Sequence, residues 1–156
     1  MPNTQAVGVA FADPEFQSVT VTGAVSAASA AVTGAVTADS VTAGTVTASS
    51  SLVIKSATVA AAGTNQGTAA AVAAGFTLVT AADGTKGVIL PAASAGLVVI
   101  IKNADAANAI LKVYPATGDG INAVAVNSSY DMAAKTSMLL VAYDATTWYT
   151  VPLLAS

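Results

Sequence analysis

The chain has no cysteine, no histidine and no arginine. Without cysteine there is no disulfide, zinc–thiolate site or thiol nucleophile. Without histidine there is no imidazole base and no histidine metal ligand. A serine or threonine nucleophile would need a lysine or carboxylate to activate it, and no Gly-x-Ser-x-Gly elbow occurs. Charged residues are only 8% of the chain, and the five lysines, Lys55, Lys86, Lys102, Lys112 and Lys135, stand far apart. Phosphate binding needs clustered cations, so no nucleic-acid partner is expected. Aromatics are also sparse, at 5%.

Ala, Val, Thr and Gly fill the space that these absences leave. Mean hydropathy is +0.71, yet the longest strongly apolar run, Leu97 to Ile101, is far below the roughly 20 residues that span a bilayer. The Ala-rich stretch Thr68 to Phe76 is short and holds Gly75. No membrane association is expected. The N-terminus carries no basic residue and is interrupted by Asp13 and Glu15, so no secretory leader is expected either. Ala and Val bury little area each, and burial stabilises in proportion to area, at roughly 25 cal/mol per Å². A single copy of such a chain has a thin core. Because the apolar residues are spread evenly, the expectation is that several copies share one.

Three zones follow. Residues 1–18 hold two prolines, two phenylalanines and two acids without a regular period. Val9, Phe11, Pro14 and Phe16 are the apolar anchors of an arm that docks onto another surface and orders on contact; the alternative is a frayed terminus. Residues 19–54 repeat one short motif: Val21-Thr-Gly-Ala-Val-Ser-Ala27, Val32-Thr-Gly-Ala-Val-Thr-Ala38 and Val41-Thr-Ala-Gly-Thr-Val-Thr-Ala48. Val and Thr suit strands, the valines fit no helical stripe, and Gly23, Gly34 and Gly44 would each cost up to about 1 kcal/mol inside a helix. So short a repeat cannot bury its own valines. Winding three chains about one axis would enclose Val21, Val25, Val32, Val36, Val41 and Val46 as a shared core, and would remove exposed strand edges. A flexible linker is the alternative.

Residues 55–156 read as a β-rich domain. Strands are expected over Ala57–Ala61, Thr68–Val72, Phe76–Thr80, Lys86–Leu90, Leu97–Lys102, Ala109–Tyr114, Ile121–Val126, Thr136–Tyr143 and Trp148–Leu153, with a short helix as the alternative for Thr68–Ala74. Leu97–Lys102, a continuous apolar run, reads as a buried sandwich strand. Many short strands between Gly, Pro, Asn and Asp turns predict a β-sandwich of jelly-roll type, with Leu90, Val99, Ile101, Val113, Leu140 and Trp148 in its core. The fold class is therefore all-β: an N-terminal arm, an intertwined trimeric shaft and a C-terminal sandwich knob. The acids Asp83, Asp119 and Asp144 sit in turn-like contexts. Gly118-Asp119-Gly120 and Asn103-Ala-Asp105 offer oxygen ligands without the acid density of a calcium loop, so no metal or other cofactor is expected. Tyr114, Tyr130, Tyr143, Trp148 and Tyr149 could stack on sugars. Adjacent strand residues point to opposite faces, however, which puts Trp148 in the core and leaves Tyr149 outside.

Four elements occur in one order: Gly87-Val-Ile-Leu-Pro-Ala-Ala, Gly96-Leu-Val-Val-Ile-Ile-Lys-Asn103, Val113-Tyr-Pro-Ala-Thr-Gly-Asp-Gly-Ile-Asn122 and Thr147-Trp-Tyr-Thr-Val151. In this order they resemble a β-domain of tailed-bacteriophage virion proteins, and the Val-Thr-Gly-x-Val-Thr repeat resembles the shafts of trimeric phage fibres. The resemblance covers residues 19–156. It implies a homotrimeric head-fibre or head-decoration (cement) protein without catalysis. Such a protein would be assembled in the host cytoplasm, carried on the capsid surface and partnered by itself and the major capsid protein. The alternative it implies is a tail fibre or receptor-binding tip that recognises a host surface glycan.

Overall fold

A computed structural model describes residues 22–24, 30–73 and 75–151. The arm residues Val9, Phe11, Pro14 and Phe16, together with Val21 and Val25, lie outside the described residues, as does the expected end of the last strand at Leu153. The chain divides into two compact units, Met1–Thr47 and Ala48–Ser156. In the first, residues 22–24 and 30–47 carry no helix or strand. An isolated strand has nothing to pair with, and its backbone groups stay solvated.

The second unit is all-β, with ten strands and no helix among the described residues: β1 Ser56–Ala60, β2 Ala70–Ala71, β3 Gly75–Thr80, β4 Gly87–Ile89, β5 Val98–Asn103, β6 Leu111–Tyr114, β7 Gly120–Ile121, β8 Tyr130–Met132, β9 Ser137–Ala142 and β10 Thr147–Val151. From β1 to β6 the chain alternates between two sheets. One sheet has the order β1-β3-β5-β9-β10-β7 and the other β2-β4-β6-β8. β1–β3, β3–β5, β2–β4 and β4–β6 are all parallel pairs. The chain thus winds through three successive turns of a β-solenoid-like arrangement, β1/β2, β3/β4 and β5/β6. β9 and β8 then close the last turn with antiparallel pairing onto β5 and β6, and β10 extends the sheet.

This connectivity differs from the jelly-roll expectation. Two facing sheets around one core are present, but residues 56–114 coil forward instead of folding back in hairpins. Strand composition and turn spacing are alike in the two cases; parallel or antiparallel pairing depends on which distant edges meet.

The winding places one residue of each turn over the next. Val79, Val99, Ile101, Ile121, Leu140 and Trp148 from the larger sheet and Val88, Leu111, Val113 and Met132 from the smaller join a single buried cluster. Leu90, on the residue after β4, joins the same cluster. Close stacking of turns demands glycine at two points. Gly75, where β3 begins, has φ +101° and a side chain there would fall on the Lys55 carbonyl oxygen, which accepts the Phe76 N–H at 2.9 Å. A Cβ at Gly87 would stand 2.6 Å from the Lys112 carbonyl oxygen and 2.7 Å from the Tyr114 ring.

Three expected segments differ in detail. Ile121–Val126 contributes only Gly120–Ile121, because Asn122 turns left-handed at φ 52°. Its side chain accepts from the Thr150 N–H at 3.0 Å and donates to the Thr150 hydroxyl at 2.9 Å, tying the turn to β10. Leu97–Lys102, expected as a buried sandwich strand, is buried on one face: Val99 and Ile101 are fully buried, whereas Val98 is exposed and Ile100 half-buried. The Ala-rich Thr68–Ala74 supplies the two-residue strand β2, not a helix.

Candidate assembly surfaces

The described repeat valines of the first unit are out in solvent in the single chain. Val32, Val36, Val41 and Val46 are 61%, 69%, 70% and 73% exposed. Gly34 and Gly44 have open space where a Cβ would sit, so no backbone packs against them within one chain. At the start of the second unit, Leu52, Val53 and Ile54 are also exposed, Val53 by 88%. These are the residues for which a shared core was expected, together with an adjoining apolar triplet that the repeat pattern did not single out. Isolated exposed apolar side chains are ordinary; a run of them along one segment is a mark of interaction.

The second unit holds its own interior. Leu90, Val99, Ile101, Val113, Leu140 and Trp148 all lie in the one buried cluster, Trp148 fully so. Tyr149, its neighbour, is 48% exposed and meets Tyr143 edge to face with ring centroids 5.9 Å apart. Of the aromatics read as a sugar platform, the structure brings these two together in the open. Trp148 is withdrawn to the core, Tyr130 packs against that core, and the Tyr114 hydroxyl donates to the Thr64 carbonyl at 3.2 Å.

The polar groups are committed to structure. Asp83 Oδ1 accepts from the N–H groups of Thr85 and Lys86 at 2.9 and 2.8 Å and from the Thr85 hydroxyl at 2.8 Å. Asp144 repeats the motif with Thr146 and Thr147. Donors converging on a carboxylate favour its charged form, and both carboxyls are held below the usual range, Asp83 chiefly by the Lys86 backbone N–H and Asp144 by that of Thr146.

The remaining oxygen-rich segments are internal clamps. Asn103 is fully buried; it donates to the carbonyls of Ala109, Met132 and Ala133 and accepts from the Asp105 N–H. Asp105 accepts from the Ala109 N–H, and Asp119 accepts from the Ala93 N–H at 2.8 Å. Asp105 and Asp119 flank turns, as their sequence contexts suggest, and are buried; Asn103, read from the sequence only as an oxygen ligand beside Asp105, is the centre of the network, a role that a lone Asn after an apolar strand does not signal. Among the described residues no group of three or more His, Cys, Asp or Glu side chains converges, and no helix is long and apolar enough to cross a membrane.

A groove of about 640 Å³ opens beside β8 and β9, lined by Ile100, Tyr130, Met132, Met138, Leu139 and Val151 among others. Its wall is mostly apolar, with Asp131, Thr136, Ser137 and Thr150 as its polar residues, and it holds a single acid, which is paired with Lys112. These features define an all-β domain with a β-solenoid-like core and an exposed apolar lead-in segment. No family model, no curated protein and no solved structure matches the chain.

Proposed function

We propose that the chain is a non-enzymatic structural protein of a bacteriophage virion, a homotrimeric decoration or head-fibre protein that binds and stabilises the capsid exterior. The observation that carries this reading is the row of exposed repeat valines, Val32, Val36, Val41 and Val46. One chain leaves them in water, and three chains wound about an axis would bury them. The resemblance of residues 19–156 to phage fibre shafts and virion β-domains supplies the setting. The N-terminal arm, with Val9, Phe11, Pro14 and Phe16, would seat on the major capsid protein. Binding only the assembled shell shifts its equilibrium toward assembly.

A tail fibre or receptor-binding tip is the second reading, and it is favoured by one observation, the exposed Tyr143–Tyr149 pair. Open aromatic faces are what glycan stacking uses.

Immunogold labelling of virions that encode the chain tests both. Gold on the head is the expected result, gold at the tail tip would select the second reading, and unlabelled particles would overturn both.

A further inference from the structure

We infer that the outward face of the six-stranded sheet is an interface between copies of this chain. The inference rests on the homotrimer reading and adds where the copies of the second unit meet.

Strand alternation sorts the side chains of that sheet. Thr77, Val79, Val99, Ile101, Leu140 and Trp148 point into the core. Their neighbours point out, and the strand registers align them into rows. Phe76 stands beside Ile100, Ile100 beside Leu139 and Leu139 beside Val151. In the next row Val98 stands beside Val141 and Val141 beside Tyr149. Val98, Val151 and Tyr149 are 43%, 44% and 48% exposed, and the rest are half-buried. The one charge among the outward residues of β3, β5, β9 and β10 is Lys102, whose ammonium turns to the Lys135 carbonyl.

The opposite sheet is built otherwise. Its outward row Gly87, Lys112 and Asp131 carries a cross-strand ion pair at 2.8 Å. An antiparallel or mixed sheet with one solvated face alternates apolar-in and polar-out. The smaller sheet does so at Lys112 and Asp131 and the larger at Ser56, Thr58, Lys102 and Ser137, but the rows between these on the larger sheet are apolar.

A second copy is the occupant that this face fits. Four strands about 4.8 Å apart and five residues at about 3.3 Å each give a face of about 320 Å². That is about two fifths of the roughly 800 Å² that each partner gives to a stable pairwise interface. Leu52, Val53 and Ile54, exposed by 78%, 88% and 48% and separated from β1 by Lys55, are further apolar area in the same unit that a second copy could cover. A nearly uncharged face meets no like-charge repulsion from its own copy, and three such faces around an axis exclude water more fully than two.

The absence of cysteine makes the test clean. A Val98→Cys variant places one thiol on the face, and Val126→Cys places one at a site 59% exposed elsewhere. Solution mass and thiol labelling are measured together on the full chain, with Trp148 emission reporting an intact core. The expected result is a mass of three times 15.0 kDa and labelling of Val98→Cys about tenfold slower than of Val126→Cys, since a buried thiol reacts only when its cover opens. Adding Leu139→Thr, a strand-compatible change, should restore fast labelling. Fast labelling of Val98→Cys in a protein that keeps the triple mass would overturn the interface and leave the homotrimer standing. A monomer would overturn both, whatever the labelling rate.

Discussion

Thr77 and Trp148 each bury a polar atom, the Oγ1 and the Nε1, without a hydrogen-bond partner among the described residues; Thr77 is the one that a substitution can relieve. It is 1% exposed. A buried hydroxyl without a partner costs about 1–3 kcal/mol. Val is nearly isosteric and favours strands. Thr77→Val should therefore stabilise the chain by about 1 kcal/mol, read as a higher midpoint in urea at unchanged slope. Asn103 is the converse case. Asn103→Ala would remove the buried donor to the Met132 carbonyl and the half-buried one to the Ala109 carbonyl, whereas the Ala133 carbonyl keeps the Thr136 hydroxyl at 2.7 Å, and a loss of about 1–3 kcal/mol is expected in the same titration. An effect within a few tenths of a kcal/mol would show that water takes over those partners.

At the level of elements, the turns and the stacked coils each carry a prediction. Asp83 and Asp144 cap their turns as carboxylates, and both are held below the ordinary carboxyl range. A group whose folded pKa is depressed stabilises above its unfolded value, about 3.9 for Asp, and that contribution drains away as pH falls through the folded value. Stability should decline with acidification below about pH 4, and Asp83→Asn with Asp144→Asn should flatten that decline by lowering neutral stability toward the acid value. Equal acid slopes in variant and wild type would contradict it. In the coils, Gly87 lies where a side chain would press on β6. Gly87→Ala should cost about 1–3 kcal/mol through overpacking, whereas Gly84→Ala, with free space but a φ of +89°, would suffer only backbone strain.

For the whole molecule, the decisive quantity is how many chains share the exposed valines. Light scattering of the full chain should return three times 15.0 kDa. Val36→Asp and Val41→Asp, each placing a charge among those side chains, should lower that mass or make it concentration-dependent. A wild-type mass of 15.0 kDa would turn residues 19–54 back into a linker.

Sequence alone determined the all-β character, because Val, Thr and Ile runs between Gly, Asn and Asp turns leave little choice of local conformation. It also determined the alternation that buries Trp148 and exposes Tyr149, since the period of a strand is fixed at two. The repeat valines were legible for the same reason, as apolar positions with no local means of burial. The tertiary structure alone decided the forward winding of β1 to β6, the strand β8, which is three residues long, and the left-handed exit at Asn122 that cuts β7 short. It also decided that the apolar run Val98–Ile101 keeps one face inside and offers the other outward. Those features depend on which edges and side chains meet across many residues of chain, and short apolar segments carry the same local preferences whether their partners lie parallel or antiparallel, in the same copy or in the next.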